Sequence, residues 1–304
     1  MAAVMKKSKV QSPKSKVFGK SGAPHADFRA KTEGQRPKSE ARSPLTEPSR
    51  NVIFGLLPVL EALRAGGRRI EKILIADGAR EHRIAEIIEL ARTAHVSFQR
   101  QPRESLAKLI EPGANHQGVV ALTAAADYAD ADALLEKIAA KERPLVLVLD
   151  GVEDPRNLGA ILRVAECAGA DGTFIPEHRA ASLTETVVKT SAGATEYTPI
   201  AKVKNLNRLI EELKRNNIWV VGTSGEAKTH YADWDWNQPC ALVLGSEGKG
   251  LHRLVAENCD ALVKIPMQGK IESLNVLVAA GVILFEAVRQ REEEGKRRKG
   301  EEEN

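Results

Sequence analysis

The stretch IPMQGKIESLNVLVAAGVILFE, residues 265–286, decides how the rest of the chain is read. An apolar run stops at Pro266 and a glycine loop follows. Ser273-Leu274-Asn275 then stands at the head of a helix-length segment, Val276 to Phe285, that carries no charge on any face. A helix apolar all round has to be covered all round, so these two polar residues stand at the edge of a buried helix, just past a strand end.

Two other strands upstream end in the same manner. VVGTSGE passes through Gly222 and Thr223 to Gly225, and LVLGSEGKG runs from Gly245 to Gly250. In open parallel sheets ligands bind outside the carboxyl ends of the strands, and glycines there let backbone N–H and C=O groups approach closely. Three such loops side by side would line a crevice with main chain, suited to an adenine and its ribose. The familiar nucleotide motifs are missing. GSEGKGL lacks the GxxxxGK[ST] spacing of a phosphate-binding loop, and no GxGxxG follows a first strand.

The strand before them, LVLVLD at 145–150, is a continuous apolar run, typical of a strand buried on both faces. It leads into DGVEDPRNLGAILRVAECAG. Pro155 ends the extended run, Asn157 is placed to cap the helix that follows, and Arg163 lies among Ala160, Ile161, Leu162, Val164 and Ala165. An arginine in such company needs a carboxylate, phosphate or carbonyl partner, or it snorkels at the rim.

Further strands and helices alternate through this half: GTFIPE, a helix over 182–190, the short strand EYTPI, a helix over 205–216, and a short helix near 251–258. The pattern predicts an α/β fold with a mostly parallel sheet. Residues 51–124 form a smaller α/β unit, with LLPVLEALRAG helical, IEKILIA a strand, REHRIAEIIELARTA helical, VSFQRQ a strand, RESLAKLI helical and HQGVVALTA a strand. The expected division is a basic tail over 1–49, a small α/β domain over 50–125, a linker over 126–143, a larger domain over 144–290 and a charged, frayed tail over 291–304.

The chain has 304 residues, 42% of them hydrophobic but only 4% aromatic, too few for a single-stranded nucleic-acid stacking platform. The net charge of +4 is unevenly placed: residues 1–50 hold 12 Lys/Arg against four Asp/Glu, so the body is acidic. The Lys-, Ser- and Pro-rich tail is expected to be disordered, either an arm for a polyanion such as RNA or a solubilising tail. It lacks the apolar core of a secretory signal; an organellar transit peptide stays open as the less favoured reading, given Asp27, Glu33, Glu40 and Glu47. No apolar run is long enough to span a membrane. Three cysteines without paired spacing, Cys167, Cys240 and Cys259, fit a reducing, cytoplasmic setting, and the histidines show no metal-ligand spacing.

Taken together, DPRNLGAILR, LVLGSEGKGL and IPMQGKIESLNVLVAAGVILFE resemble the SpoU (TrmH-type) family of RNA ribose 2′-O-methyltransferases in the SPOUT superfamily, over most of residues 51–290. VIFGLLPVLEAL and GANHQGVVA resemble the small ribosomal-protein-like α/β domain that precedes the catalytic domain in many members. Within the family the chain is most similar to the guanosine methyltransferases of large-subunit ribosomal RNA. The resemblance implies S-adenosylmethionine as methyl donor, a deep trefoil knot, and a homodimer with the last helix in the subunit interface. It implies Arg163 as the catalytic base, or as the group that stabilises the developing alkoxide and grips a phosphate. Asn157, Glu247, Ser273 and Asn275 would orient the ribose. Gly222, Thr223, Gly245, Gly250, Ile265, Met267 and Leu274 would border the cofactor. Many members carry a serine where this chain has Leu277, which puts the start of the last helix in question. In the small domain, Asn115, His116 and Gln117 form a polar tip that could contact RNA, or simply a turn. Arg64, Arg68 and Arg69 could bind phosphates, or belong to a charged helix face. A transfer-RNA methyltransferase, and a non-catalytic RNA-binding protein that kept the fold, are the alternatives.

Overall fold

The computed structural model describes residues 51–124 and 127–302; the basic arm expected over 1–49 lies outside the described residues. In chain order the first half contains β1 (Asn51–Phe54), α1 (Leu56–Ala65), β2 (Ile70–Ala76), α2 (Glu81–Thr93), β3 (Ser97–Gln101), α3 (Arg103–Ala107) and β4 (Val119–Thr123). Its four-stranded sheet has the order β1-β4-β2-β3, with β2 and β3 parallel and the other pairs antiparallel. β1 escapes the sequence pattern because only Gly55 separates it from the apolar face of α1. Gly66 ends α1 in the left-handed conformation.

After α4 (Ala131–Ala139) come β5 (Leu145–Asp150), α5 (Pro155–Cys167), β6 (Gly172–Pro176), α6 (Glu185–Thr190), β7 (Ile200–Val203), α7 (Leu206–Arg215), β8 (Trp219–Thr223), β9 (Thr229–His230), β10 (Cys240–Gly245), α8 (Arg253–Asn258), β11 (Ala261–Lys264) and α9 (Val276–Glu302). The seven strands are parallel, in the order β7-β6-β5-β10-β8-β11-β9. β5 shows why the apolar run was continuous. Leu145, Leu147 and Leu149 pack on one face with α5 and α9, while Val146 and Val148 pack on the other with α4 and α7. The two-residue β9 had no sequence signal.

One expectation needs correction. EYTPI is not a strand: Ala194–Glu196 forms a 3-10 turn, and β7 starts at Ile200, directly after Pro199, which has no N–H to give a ladder. The segment Val276–Phe285 has one face on the core and one open in the single chain. Val276, Ala280, Ile283 and Leu284 face the core, whereas Val278 and Phe285 are 47% and 49% exposed. Residues 291–302 continue α9 as its charged end. Its outer turns carry Arg–Glu pairs at three- and four-residue spacing. Arg291, partly buried, donates to the carbonyl oxygens of Trp236, Arg143, Pro144 and Gln238 and so ties α9 to the base of the sheet.

The small domain is seated on α6 and the 3-10 turn of the larger one. Arg68 and Glu196 form an ion pair at 2.9 Å whose side chains are 9% and 3% exposed. Tyr197 Oη donates to Glu61, and Lys189 Nζ donates to the Asn115 carbonyl while lying over the Phe54 ring.

Candidate active site

β10, β8 and β11 are neighbours, so the three glycine loops meet at one end of the sheet. They enclose a cleft of about 1120 Å³. Thr223, Gly245, Gly250, Ile265, Met267 and Leu274 all line it, as do Glu247 and Ser273. Gly245 is required by close approach: a Cβ there would stand 2.1 Å from the carbonyl carbon of Gly250, because the loop after β10 folds straight back over its strand. Gly222 does not line the cleft. Its missing side chain makes room for Cys259, Leu251 and Leu262 beneath the floor, so its role is packing. Main-chain edges with apolar neighbours such as Ile265, Met267 and Leu274 match the chemistry of an adenosine-bearing ligand.

At the rim, side chains from three distant segments converge. Asn157 Nδ2 donates to Glu247 Oε1 at 2.9 Å, and Asn275 Nδ2 donates to the same oxygen and to Asn157 Oδ1. Among the described residues no donor occupies Glu247 Oε2. Asn275 also starts α9: its Oδ1 accepts from Leu277 N at 2.8 Å and its carbonyl from Ala279 N at 3.0 Å. The helix-start bond therefore uses the backbone of residue 277, and the leucine there leaves it intact. Asn157 is not the cap of α5. Asp154 is, accepting from Arg156 N with Pro155 in the first helical position. The amide of Asn157 is thereby left for Glu247.

Arg163 does not join this cluster. Six residues along a helix is about 120° from Asn157 around the axis, and Arg163 is exposed, absent from the cleft lining and without an ion pair among the described residues. Three of the RNA-contact candidates have partners within the chain. His116 is 3% exposed; its Nδ1 accepts from Gly118 N, and burial, then Arg103 and Lys189, pushes its pKa down. Arg64 is engaged by Glu61 and Glu86, and Arg68 is buried against Glu196. Asn115 and Gln117 remain in the turn, where Asn115 Oδ1 accepts from Gln117 N and Gln117 Oε1 caps Leu56 N. No group of three or more His, Cys, Asp or Glu able to hold a metal occurs among the described residues, and none of their helices is long and apolar enough to cross a membrane.

A parallel sheet with a backbone-lined cleft at its carboxyl end, preceded by a small α/β domain, defines a two-domain α/β architecture with a ligand cleft between glycine loops. Comparison with known proteins gives it a family. The sequence profile of the SpoU rRNA Methylase family matches residues 144–285, and that of RNA 2′-O ribose methyltransferase substrate binding matches residues 52–129. The chain is 45% identical over 240 residues to YacO of Bacillus subtilis (strain 168), assigned to the TrmH family of tRNA/rRNA methyltransferases; the match covers 79% of this chain and 95% of that one. A Staphylococcus aureus (strain COL) chain with the same family assignment is 44% identical over 245 residues, covering 80% and 98%. Among solved structures it is similar to the SpoU methyltransferase AviRb from Streptomyces viridochromogenes in complex with AdoMet, with TM-score 0.66, 30% identity and coverage of 80% and 91%. It is also similar to an AdoMet-bound rRNA methyltransferase from Sinorhizobium meliloti, with TM-score 0.65, 26% identity and coverage of 79% and 87%. The chain belongs to the SpoU (TrmH-type) family of RNA 2′-O-ribose methyltransferases.

Proposed function

We propose that this protein transfers the methyl group of S-adenosylmethionine to the 2′-hydroxyl of a guanosine in large-subunit ribosomal RNA, and that it works as a homodimer. The observation that carries the catalytic reading is the Asn157–Glu247–Asn275 cluster at the mouth of a cleft lined by three glycine loops. Bound in that cleft, S-adenosylmethionine supplies an electrophilic methyl group and departs as a neutral thioether. The residues of the chain then have to aim the hydroxyl and take its proton. Asn157 and Asn275 hold Glu247 by one oxygen, leaving Oε2 to accept the hydroxyl hydrogen as the new O–CH3 bond consumes the charge on oxygen. Ser273, on the cleft wall, fixes the ribose. Arg163 is the electrostatic partner, a guanidinium with no ion pair among the described residues that grips the substrate phosphate; a guanidinium is a poor base because it stays protonated. The loop closing on Gly245 and the segment 265–275 are read as the crossing of the trefoil knot.

The dimer reading rests on α9. Val278 and Phe285 form an exposed apolar stripe, seven residues apart, with Leu274 just ahead of it, and a second copy of the same helix is the occupant that a two-fold pairing would supply.

The test is methyl transfer from labelled S-adenosylmethionine to deproteinised large-subunit ribosomal RNA and to transfer RNA, with the modified nucleoside mapped by mass spectrometry. Label in 2′-O-methylguanosine of ribosomal RNA is expected; label confined to transfer RNA would move the substrate, and RNA binding without incorporation would remove the enzyme reading. Arg163→Ala is expected to abolish transfer while leaving the calorimetric affinity for S-adenosylmethionine within about twofold, a difference of ~0.4 kcal/mol.

A further inference from the structure

β5 ends on a carboxylate that the Asn157–Glu247–Asn275 cluster does not use. Asp150 is 3% exposed and does not line the cleft. Its Oδ2 accepts from the backbone N of His252 at 2.7 Å, and its Oδ1 accepts from the ring Nδ1 of the same residue at 2.8 Å. An ionised carboxylate only accepts, so Nδ1 holds the ring proton. His252 stands directly before α8, where a side chain usually accepts from the first turn, yet its ring makes no such bond. The ring turns back to Asp150 and lies over Gly151, whose φ of +83° carries the chain beneath it; a Cβ there would stand 3.5 Å from His252 Cε1 and from Ser246 Cβ.

A buried carboxylate is costly unless its oxygens are hydrogen-bonded, and here both bonds come from one residue. What that residue closes is the loop 246–251. The loop leaves β10 at Gly245, the ladder neighbour of Asp150. It doubles back through Ser246 N to Gly250 O at 3.1 Å and Gly250 N to Ser246 O at 3.0 Å, with Gly248 and Gly250 at positive φ, and comes down at His252. Asp150 therefore meets the loop at both feet. Every residue from Ser246 to Leu251 lines the cleft, Glu247 among them. Beyond Asp150 the chain runs through Gly151 to Asn157 on α5, so this one carboxylate ties the segment that carries Asn157 to the loop that carries Glu247.

We propose that Asp150 and His252 are a positioning pair: they pin the loop 246–251 at its base and so fix one wall of the S-adenosylmethionine cleft and the place of Glu247. They act through the loop, not on the substrate. The consequence for Glu247 rests on its reading as the proton acceptor.

The experiment compares the full chain with Asp150→Ala, Asp150→Asn and His252→Ala. It measures hydrogen–deuterium exchange in peptides covering 245–252, calorimetric affinity for S-adenosylmethionine, kcat at saturating substrates and KM for RNA. Alanine at 150 removes both bonds. Exchange in 245–252 should quicken by about tenfold, and affinity for S-adenosylmethionine and kcat should each fall by about tenfold, with KM for RNA within about twofold. Asparagine can keep both bonds, its oxygen accepting from His252 N and its amide donating to Nδ1 once the ring proton moves to Nε2, so it should recover most of each loss. Should Asp150→Ala fail to fold, His252→Ala is read in its place; it keeps the backbone bond, its imidazole is 53% exposed in the parent, and the same changes should appear at about threefold. A lower melting temperature with parent-like loop exchange and affinity in the folded alanine variants overturns the clamp, as does an asparagine variant as impaired as alanine. Quickened exchange and weakened S-adenosylmethionine binding with kcat unchanged keep the clamp and remove Glu247 from the chemistry.

Discussion

Asn275 has two tasks that most residues would keep apart. Its carbonyl and side-chain oxygen start α9, and its amide nitrogen holds Glu247 and Asn157. Asn275→Asp keeps the cap but replaces a donor with a second negative charge beside Glu247. Asn275→Ala removes both. We expect both to reduce kcat by at least 100-fold, ~2.7 kcal/mol of transition-state stabilisation. Only alanine should also lower stability, by ~1 kcal/mol, the usual worth of a cap. Kinetics and thermal melting on the pair check it; an active Asn275→Asp would mean the amide is dispensable. His116 allows a second residue-level test. Burial holds its pKa below the usual imidazole range, so the unfolded chain takes up a proton at higher pH than the folded one. The stabilising contribution is complete above the unfolded value of about 6.5 and is lost as pH falls through the lower folded value. Stability of the parent should therefore fall on acidification through that window, and His116→Gln should flatten this part of the profile. An unchanged profile would place the acid sensitivity elsewhere.

The element scale shows why some of this could be read in the sequence and some could not. LVLVLD and CALVLG announce doubly buried parallel strands because they carry no charge before Asp150 at the carboxyl end of the first, and three glycine-bearing strand ends point to one cleft once the sheet is parallel. Which glycine touches a ligand and which merely makes room is decided by what stands behind it: Gly222 backs onto Cys259 and Leu251, contacts remote in sequence. Asp154-Pro155 carries the signature of a cap and first helical position, but Asn157 two residues later competes for the same reading. Arg291 is the clearest miss, since RQREEEGKRRKG looks solvated throughout and only the fold shows four carbonyls converging on one guanidinium. Arg291→Ala leaves those carbonyls without their donor and should cost ~2–4 kcal/mol, read as a lower unfolding midpoint in denaturant with donor affinity retained under native conditions. On the opposite face of the same helix, Phe285→Glu places a charge in the proposed subunit contact. Sedimentation should then report a monomer where the parent is a dimer; an unaltered dimer would move the interface away from α9.

At the scale of the whole molecule the question is what keeps a substrate domain and a catalytic domain in one fixed relation. Apolar packing between the two sheets is thin: Val188 of α6 is the residue of the catalytic half that joins the small domain's buried cluster. The fixing contacts are polar, and the Arg68–Glu196 pair is the most buried of them. Burial pushes the Glu196 carboxyl up and the Arg68 guanidinium down, each partly offset by the other. Such a pair contributes little net stability, but removing one partner strands the other without compensation, at a cost of ~3–5 kcal/mol. Arg68→Met alone should therefore destabilise the chain strongly, and Arg68→Met with Glu196→Leu should recover most of that loss, because an apolar contact of similar volume can replace a buried ion pair. If the pair also sets domain orientation, the double variant will fold normally yet show a raised KM for RNA, with kcat at saturation unchanged. Denaturant unfolding of the two single variants and the double separates the terms. Strict additivity would mean that the two side chains are energetically independent, and a normal KM in the stable double variant would mean that Lys189, Tyr197 and the chain connection hold the domains unaided.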